Sequence, residues 1–127
     1  MPIQVQIQSI RAVGPIVEVW GKLVASGNYT TGIGGDTVNF NTATLDPSFS
    51  GPAVAIDSSQ APIQFDAWSQ GGQQTDFYTT NLANCTGPSN AQLMVNSALA
   101  TEIGTGAYPA GVKTDNIAFY AAFKKGQ

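Results

Sequence analysis

Gly27-Asn28-Tyr29-Thr30-Thr31-Gly32-Ile33-Gly34-Gly35-Asp36-Thr37-Val38-Asn39-Phe40 returns later in the chain in altered form. The second copy reads Gly106-Ala107-Tyr108-Pro109-Ala110-Gly111-Val112-Lys113-Thr114-Asp115-Asn116-Ile117-Ala118-Phe119. Both fit G-x-Y-x-x-G-[IV]-x-x-D-x-[VI]-x-F without a gap. The rings of Tyr29 and Tyr108 suit anchoring a loop on a core, with the hydroxyl reaching solvent or a backbone carbonyl. Gly32 and Gly111 suit backbone angles that a side chain forbids. Asp36 and Asp115 are placed to bond the backbone two residues on and end a turn. Val38 with Phe40, and Ile117 with Phe119, then alternate as the inward face of a strand. Pro109 replaces Thr30 and stiffens the second loop at unchanged spacing. Each copy therefore reads as anchored loop, tight turn and re-entry into a sheet.

Two accounts of the repeat stand side by side. One is a single loop geometry used at two corners of one sandwich. The other is an internal duplication, with halves offset by 79 residues from Tyr29 to Tyr108. Outside the matched stretches no self-similarity supports the second, so the first is preferred. In neither account is the motif catalytic: it holds one acid, no base and no metal-binding cluster.

Outward from the motif, alternation continues. Ile3, Val5 and Ile7 alternate with Gln4, Gln6 and Gln8 in strict period two, a strand whose polar face is made of amides. No charge guards it before Arg11, so it is expected to have a partner in its own sheet or another subunit. Gly14-Pro15 makes a turn, and Ile16 to Ala25 forms the next strand. Val17, Val19, Leu23 and Ala25 lie on one face of it, with Glu18, Trp20 and Lys22 on the other. Trp20 is either packed under a loop or an exposed anchor, and Gly21 marks a possible bulge. A strand is expected from Thr37 to Thr42. The stretch 41–59 then reads as a long irregular loop, in which Leu45 and Phe49 either fold back on the core or insert into a neighbour. Pro62 to Ser69 alternates, Gly71-Gly72 signals a hairpin, and Thr75 to Thr80 returns with Phe77 inward and Asp76 and Tyr78 outward. Leu93 and Val95 face in, and 99–103 is strand or helical turn. The last strand, Asn116 to Lys124, buries Ile117, Phe119, Ala121 and Phe123. About seven to nine short strands and no long helix predict an all-β fold, an antiparallel β-sandwich or flattened barrel in one domain, 1–127.

Composition narrows function by exclusion. Charged residues make up 10% of the 127, far below the usual share of about a quarter. The surface is therefore built from Gln, Asn, Thr, Ser and Gly, which are cheaper to desolvate than dense charge and suit a subunit covered by neighbours. Five basic residues and a net charge of -3 argue against nucleic acid as a partner. No apolar run approaches membrane-spanning length, and no basic, apolar leader opens the sequence, so synthesis in a cytoplasm is expected. Asn28-Tyr29-Thr30 and Asn84-Cys85-Thr86 match a glycosylation pattern that is common by chance. Cys85 is the single cysteine, so no internal disulfide forms, and no base is visible to activate it. The absence of histidine removes Ser-His-acid and Cys-His catalysis and ordinary zinc sites. Eight acids remain, most at turns or on outward strand positions, and no pair can be placed together. An enzyme is not expected, nor a cofactor or metal.

Gly106-Ala107-Tyr108-Pro109-Ala110-Gly111-Val112, followed by Asp115 to Lys125, resembles the C-terminal ending of small β-rich structural proteins of tailed-bacteriophage heads. The segment from Gly27 to Phe40 fits the first half of the same family. The resemblance implies a non-enzymatic virion protein on the capsid surface, most simply a decoration or cement protein acting as a homotrimer on the major capsid protein. It carries over no catalytic residue. The contact residues expected on that reading are Ile3, Val5, Ile7, Trp20, Leu45, Phe49 and Trp68. Another head or tail component, such as a fibre base, is the alternative within the virion. A carbohydrate-binding sandwich, stacking sugar rings on Trp20, Trp68 or Tyr78, is the alternative outside it.

Overall fold

The computed structural model of the chain describes residues 3–47, 49, 59–70, 77–83, 85–98 and 101–125. In chain order the strands are β1 (Ile3–Val13), β2 (Ile16–Ala25), β3 (Asn28–Tyr29), β4 (Asp36–Val38), β5 (Thr44–Leu45), β6 (Gln64–Ser69), β7 (Phe77–Asn81), β8 (Ala91–Ala98), β9 (Thr101–Glu102), β10 (Gly106–Ala107) and β11 (Ile117–Lys124). A 3-10 turn, Phe40–Thr42, follows β4, and a one-turn helix α1, Ala110–Lys113, precedes β11. The fold is all-β and sandwich-like. It has more strands than alternation predicts, because β3, β5, β9 and β10 are two residues each and too short to leave a periodic trace.

A five-stranded sheet in the order β5-β1-β2-β11-β6 forms one layer. The β1–β2 hairpin turns at Gly14, whose φ of 58° is the left-handed conformation glycine tolerates. β11 returns from the end of the chain to lie antiparallel between β2 and β6. The N-terminal strand finds its partners within this sheet, antiparallel to β2 and parallel to the short β5. That one parallel pair departs from the all-antiparallel expectation. The second layer is β4-β8-β7, with β9 added along β8. A separate two-stranded ribbon joins β3 to β10.

The register of β1 on β2 slips between Ile7 and Ser9, so Gln8 is the extra residue of a β-bulge. Gly21 lies across from it, and the bulge sits on β1 rather than at the glycine itself. A methyl group at Gly21 would fall 2.1 Å from the carbonyl oxygen of Gln6 and 2.8 Å from the Phe119 ring. The glycine is there because two backbones and a ring converge on its missing side chain.

Between the layers, Val17, Val19, Leu23, Phe65, Ile117 and Phe123 of the first sheet meet Val38, Leu93 and Val95 of the second. Phe40 is the aromatic centre, with ring centroids 5.2 Å from Phe65, 5.1 Å from Phe123 and 5.8 Å from Phe119. Edge-on packing of this kind is worth roughly 0.5–1.5 kcal/mol per pair beyond area burial. Phe40 reaches this position because β4 stops at Val38 and Asn39 caps the 3-10 turn, accepting from the backbone N–H of Asn41 at 2.9 Å. The strand expected from Thr37 to Thr42 is thus shorter, and its last inward residue stands on a turn.

The hairpin expected around Gly71-Gly72 is not the arrangement of its arms. Those glycines and Asp76 lie outside the described residues, but β6 and β7 belong to different sheets. β7 instead meets the edge of β6 through a side chain, the Thr80 hydroxyl donating to the Phe65 carbonyl at 2.6 Å. Tyr78 does not point away either: it packs against the core. Of the predicted loop 41–59, residues 48 and 50–58 lie outside the described residues, as do Leu99 and Ala100.

Candidate functional site

The two motif copies lie against each other. β3 pairs with β10 in the register Asn28↔Ala107 and Tyr29↔Gly106. The backbone N–H of Tyr108 donates to the Gly27 carbonyl at 3.2 Å. Asn28 and Ala107 hold the same place in the two copies, so the pairing is symmetric about them. Like residues then meet: Tyr29 and Tyr108 pack edge to face at 5.6 Å, and Phe40 touches Phe119. A motif that pairs with itself antiparallel forms a local two-fold, and its aromatic positions fill the space on that axis.

The tyrosine hydroxyls do not go to solvent or to carbonyls. Tyr108 donates to Asp36 Oδ2, across from one copy to the other, and Tyr29 donates to Glu102 Oε2. Burial first, and then the hydrogen bond to a carboxylate, push both phenols well above the usual tyrosine range. Glu102 is held below the ordinary carboxylate range chiefly by the Tyr29 hydroxyl, which burial opposes and the N–H of Gly32 supports to a smaller extent. Neither motif aspartate bonds the backbone two residues on. Asp36 Oδ1 accepts from the Thr30 N–H at 3.4 Å, whereas Asp115 accepts from Ser69 at 2.8 Å and Tyr78 at 2.6 Å. Both serve as fasteners between elements distant in sequence, which a reading of local turn chemistry does not reveal.

Symmetry ends at the second glycine. Gly32 has φ 83°, as the motif suggests, but Gly111 sits inside α1 with helical backbone. Pro109, at φ -55°, leads straight into that turn of helix, so it changes the loop's course and not only its stiffness. Downstream, Gly34 and Gly35 take φ 89° and 107°. Their counterparts are Lys113 and Thr114, for which such angles are costly. Three left-handed glycines and one proline send the same pattern two ways.

A second candidate site is the outer face of the five-stranded sheet. Paired residues share a face, so the register sets Ser9, Trp20, Tyr120 and Asp66 in one row and Gln6, Lys22, Ala118 and Trp68 in the next. Trp20 and Tyr120 are in ring contact at 5.5 Å, and the Arg11 guanidinium lies 5.5 Å from the Trp20 centroid. Arg11 also pairs with Glu18 at 2.6 Å, and Tyr120 donates to Glu18 at 2.7 Å. The Tyr120 hydroxyl, then Arg11, hold the Glu18 carboxyl below its usual range, and the same bond raises the Tyr120 phenol. Lys22 reaches Asp46 at 3.7 Å and ties the chain after β5 to the sheet.

The contact residues expected from sequence divide on this map. Ile3 and Val5 are buried in the core, because β1 turns its apolar face inward and its glutamines outward, and Ile7 is half-buried against the same core. Ile3 and Val5 are therefore core residues rather than exposed contacts. Trp20 is half-buried on the outer face, and Trp68 is 43% exposed on the same face. Leu45 is exposed on the edge strand β5, and Phe49 is half-buried in a turn whose N–H donates to the Asp46 carbonyl at 2.8 Å. Tyr120, Arg11 and Glu18 belong to the face but had only their outward strand position to suggest it. Tyr78, engaged by Asp115, does not join Trp20 and Trp68.

The described carboxylates of Glu18, Asp36, Asp46, Asp66, Glu102 and Asp115 all take part in side-chain bonds or ion pairs within the fold. Among the described residues no group of three His, Cys, Asp or Glu could hold a metal ion, and no helix is long and apolar enough to cross a membrane. The Cys85 thiol donates to the Gly87 carbonyl at 2.8 Å. The chain defines itself, then, as an all-β sandwich with carboxylates in structural service and one aromatic outer face. No protein-family model, curated protein or solved structure matches it.

Proposed function

We propose that this chain is a non-enzymatic structural protein of a tailed-phage head, a cement subunit that binds the expanded capsid and stabilises it. The observation that carries the reading is the outer face of the five-stranded sheet. Trp20, Tyr120 and Trp68 lie on it among Gln4, Gln6 and Gln64, with Trp68 43% exposed. Most of its charge is already matched internally, Arg11 by Glu18 and Lys22 by Asp46. Covering it would strand few ions while burying aromatic area, the pattern of an interface core. Binding one lattice state and not the other stabilises that state by mass action. Assembly as a homotrimer would raise the effective concentration of each further contact. The resemblance of the motif stretches to phage head proteins points the same way.

Co-sedimentation of the purified protein with heads of the phage that encodes it tests the proposal. Binding to expanded heads and not to unexpanded ones is expected, with Trp20→Ala and Trp68→Ala weakening it. A stable monomer that ignores both head forms and binds a soluble polysaccharide through Trp20 and Trp68 would overturn it.

A further inference from the structure

Two strands flank β11 in the five-stranded sheet, and each carries an acid two residues before a tryptophan. On β2 the run is Glu18-Val19-Trp20, and on β6 it is Asp66-Ala67-Trp68. Both strands are antiparallel to β11, so the two runs point the same way. Residues two apart on a strand share a face, and the register puts both acids and both tryptophans on the outer one. Tyr120 stands between the runs, paired with Trp20 on one side and Asp66 on the other.

The first run shows what such a pair holds. Arg11, opposite Glu18 on β1, places its guanidinium 5.5 Å from the Trp20 centroid. It donates to Glu18 Oε1 through Nη2 at 2.6 Å and Nε at 3.2 Å. Carboxylate and indole together grip one arginine, by charge and by the ring face. The second run has the same chemistry and a different neighbour. Among the described residues β6 ends the sheet, so no strand lies beside it as β1 lies beside β2. Asp66 is exposed, its Oδ2 accepting from the Gln64 amide at 2.9 Å, and Trp68 is exposed beside it. All five basic residues of the chain are among the described ones. The ion pairs among them are Arg11–Glu18 and Lys22–Asp46, and no described lysine or arginine pairs with Asp66.

We infer that Asp66 and Trp68 form a receptor for an arginine side chain of the capsid subunit, an inference that rests on the head-protein reading above. Charge complementarity and the Arg11 arrangement in the same sheet identify the guanidinium. Its planar fork bonds a carboxylate while its face lies on an indole. A second copy of this chain does not supply it: Arg11 is the one arginine, and Glu18 and Trp20 engage it. The arginine therefore comes from a different protein.

The test measures affinity for purified expanded heads in wild type, Asp66→Asn and Asp66→Glu, with the Tm of each protein alongside. Each is measured again on heads whose arginines are blocked with phenylglyoxal. Asp66→Asn is expected to bind about tenfold to a hundredfold more weakly at unchanged Tm. Asp66→Glu, which copies the carboxylate of the Glu18 arrangement, should bind within about fivefold of wild type. Blocking the head arginines should weaken wild type, yet change the binding of Asp66→Asn by less than about threefold. Wild-type affinity in Asp66→Asn, or an equal loss in both variants, overturns the receptor and leaves the head-protein reading standing. So does arginine blocking that weakens wild type and Asp66→Asn by the same factor. Self-association of the isolated protein that Asp66→Asn abolishes assigns the pair to a second copy and overturns the receptor too. Failure of wild type itself to bind expanded heads overturns the reading and the receptor together.

Discussion

Tyr108 donates its hydroxyl proton to Asp36, so a tyrosine from one copy of the motif closes the turn of the other. Asp36 is only 5% exposed, and Thr30 offers its second oxygen a long bond of 3.4 Å. Tyr108→Phe therefore leaves a buried carboxylate short of its best donor, at a cost of about 2–3 kcal/mol. In a double-mutant cycle with Asp36→Asn, measured by urea unfolding, coupling of about 1–3 kcal/mol is expected. Additive losses would mean that the pair does not hold the copies together.

Stability should fall at both ends of the pH scale, for opposite reasons. Tyr29 and Tyr108 have raised folded-state pKa values, so above about pH 10 the unfolded chain releases protons that the folded chain retains. Their contribution is complete below that pH and is lost as pH rises further. Glu102 and Glu18 are depressed, so their contribution is present above about pH 4–5 and lost as pH falls through their folded-state values. Thermal unfolding across pH, followed together with tyrosinate absorbance, checks this. The two buried phenols should ionise only as the protein unfolds; titration of all four tyrosines near pH 10 in a folded protein would contradict it.

Much of this was legible where a residue's partner did not matter. The alternation of β1, β2 and β11 reads directly as inward and outward faces, because burial of one sheet face imposes a period of two. Tyr29, Phe40, Tyr108 and Phe119 were visible as anchors because large rings go inside. The rest depended on distant residues. Nothing near Asp36 announces Tyr108, and nothing near Tyr78 announces Asp115. Nor could the pattern tell that Gly111 would be helical, since Gly32 has the same place in it. The difference lies in Pro109 and in Lys113 and Thr114 standing where the first copy has glycines. For Ile3 and Val5 the pattern leaves open whether their strand pairs in its own sheet or with another subunit, and β2 and β5 supply the partner within the sheet.

Gly21 and Gly32 are glycines for different reasons, and alanine should separate them. At Gly21 the new methyl would overlap the Gln6 carbonyl across the β1 bulge, with no side chain to move aside. Gly21→Ala should cost about 3 kcal/mol or more, or prevent folding. At Gly32 space is open and only the φ of 83° resists, so Gly32→Ala should cost about 1–2 kcal/mol. Urea midpoints at constant m-value measure both, and equal losses would mean that crowding at the bulge is relieved by backbone movement.

Phe40 should be the most costly single truncation in the aromatic core. It closes the first motif copy yet stands on a 3-10 turn, and its ring is in contact with Phe65, Phe119 and Phe123 of the opposite sheet. The backbone N–H of Phe40 donates to the Pro88 carbonyl at 2.8 Å, which fixes the turn from the far side and limits how far it can collapse into a void. Phe40→Ala should therefore fall near the upper part of the usual range of about 3–5 kcal/mol for such a change. Phe65→Ala, on the edge strand β6, should cost less because its surroundings can close in. Equal midpoints for the two variants in urea would show that the turn yields as readily as the sheet edge, and that Phe40 is not the fixed centre about which the two layers pack.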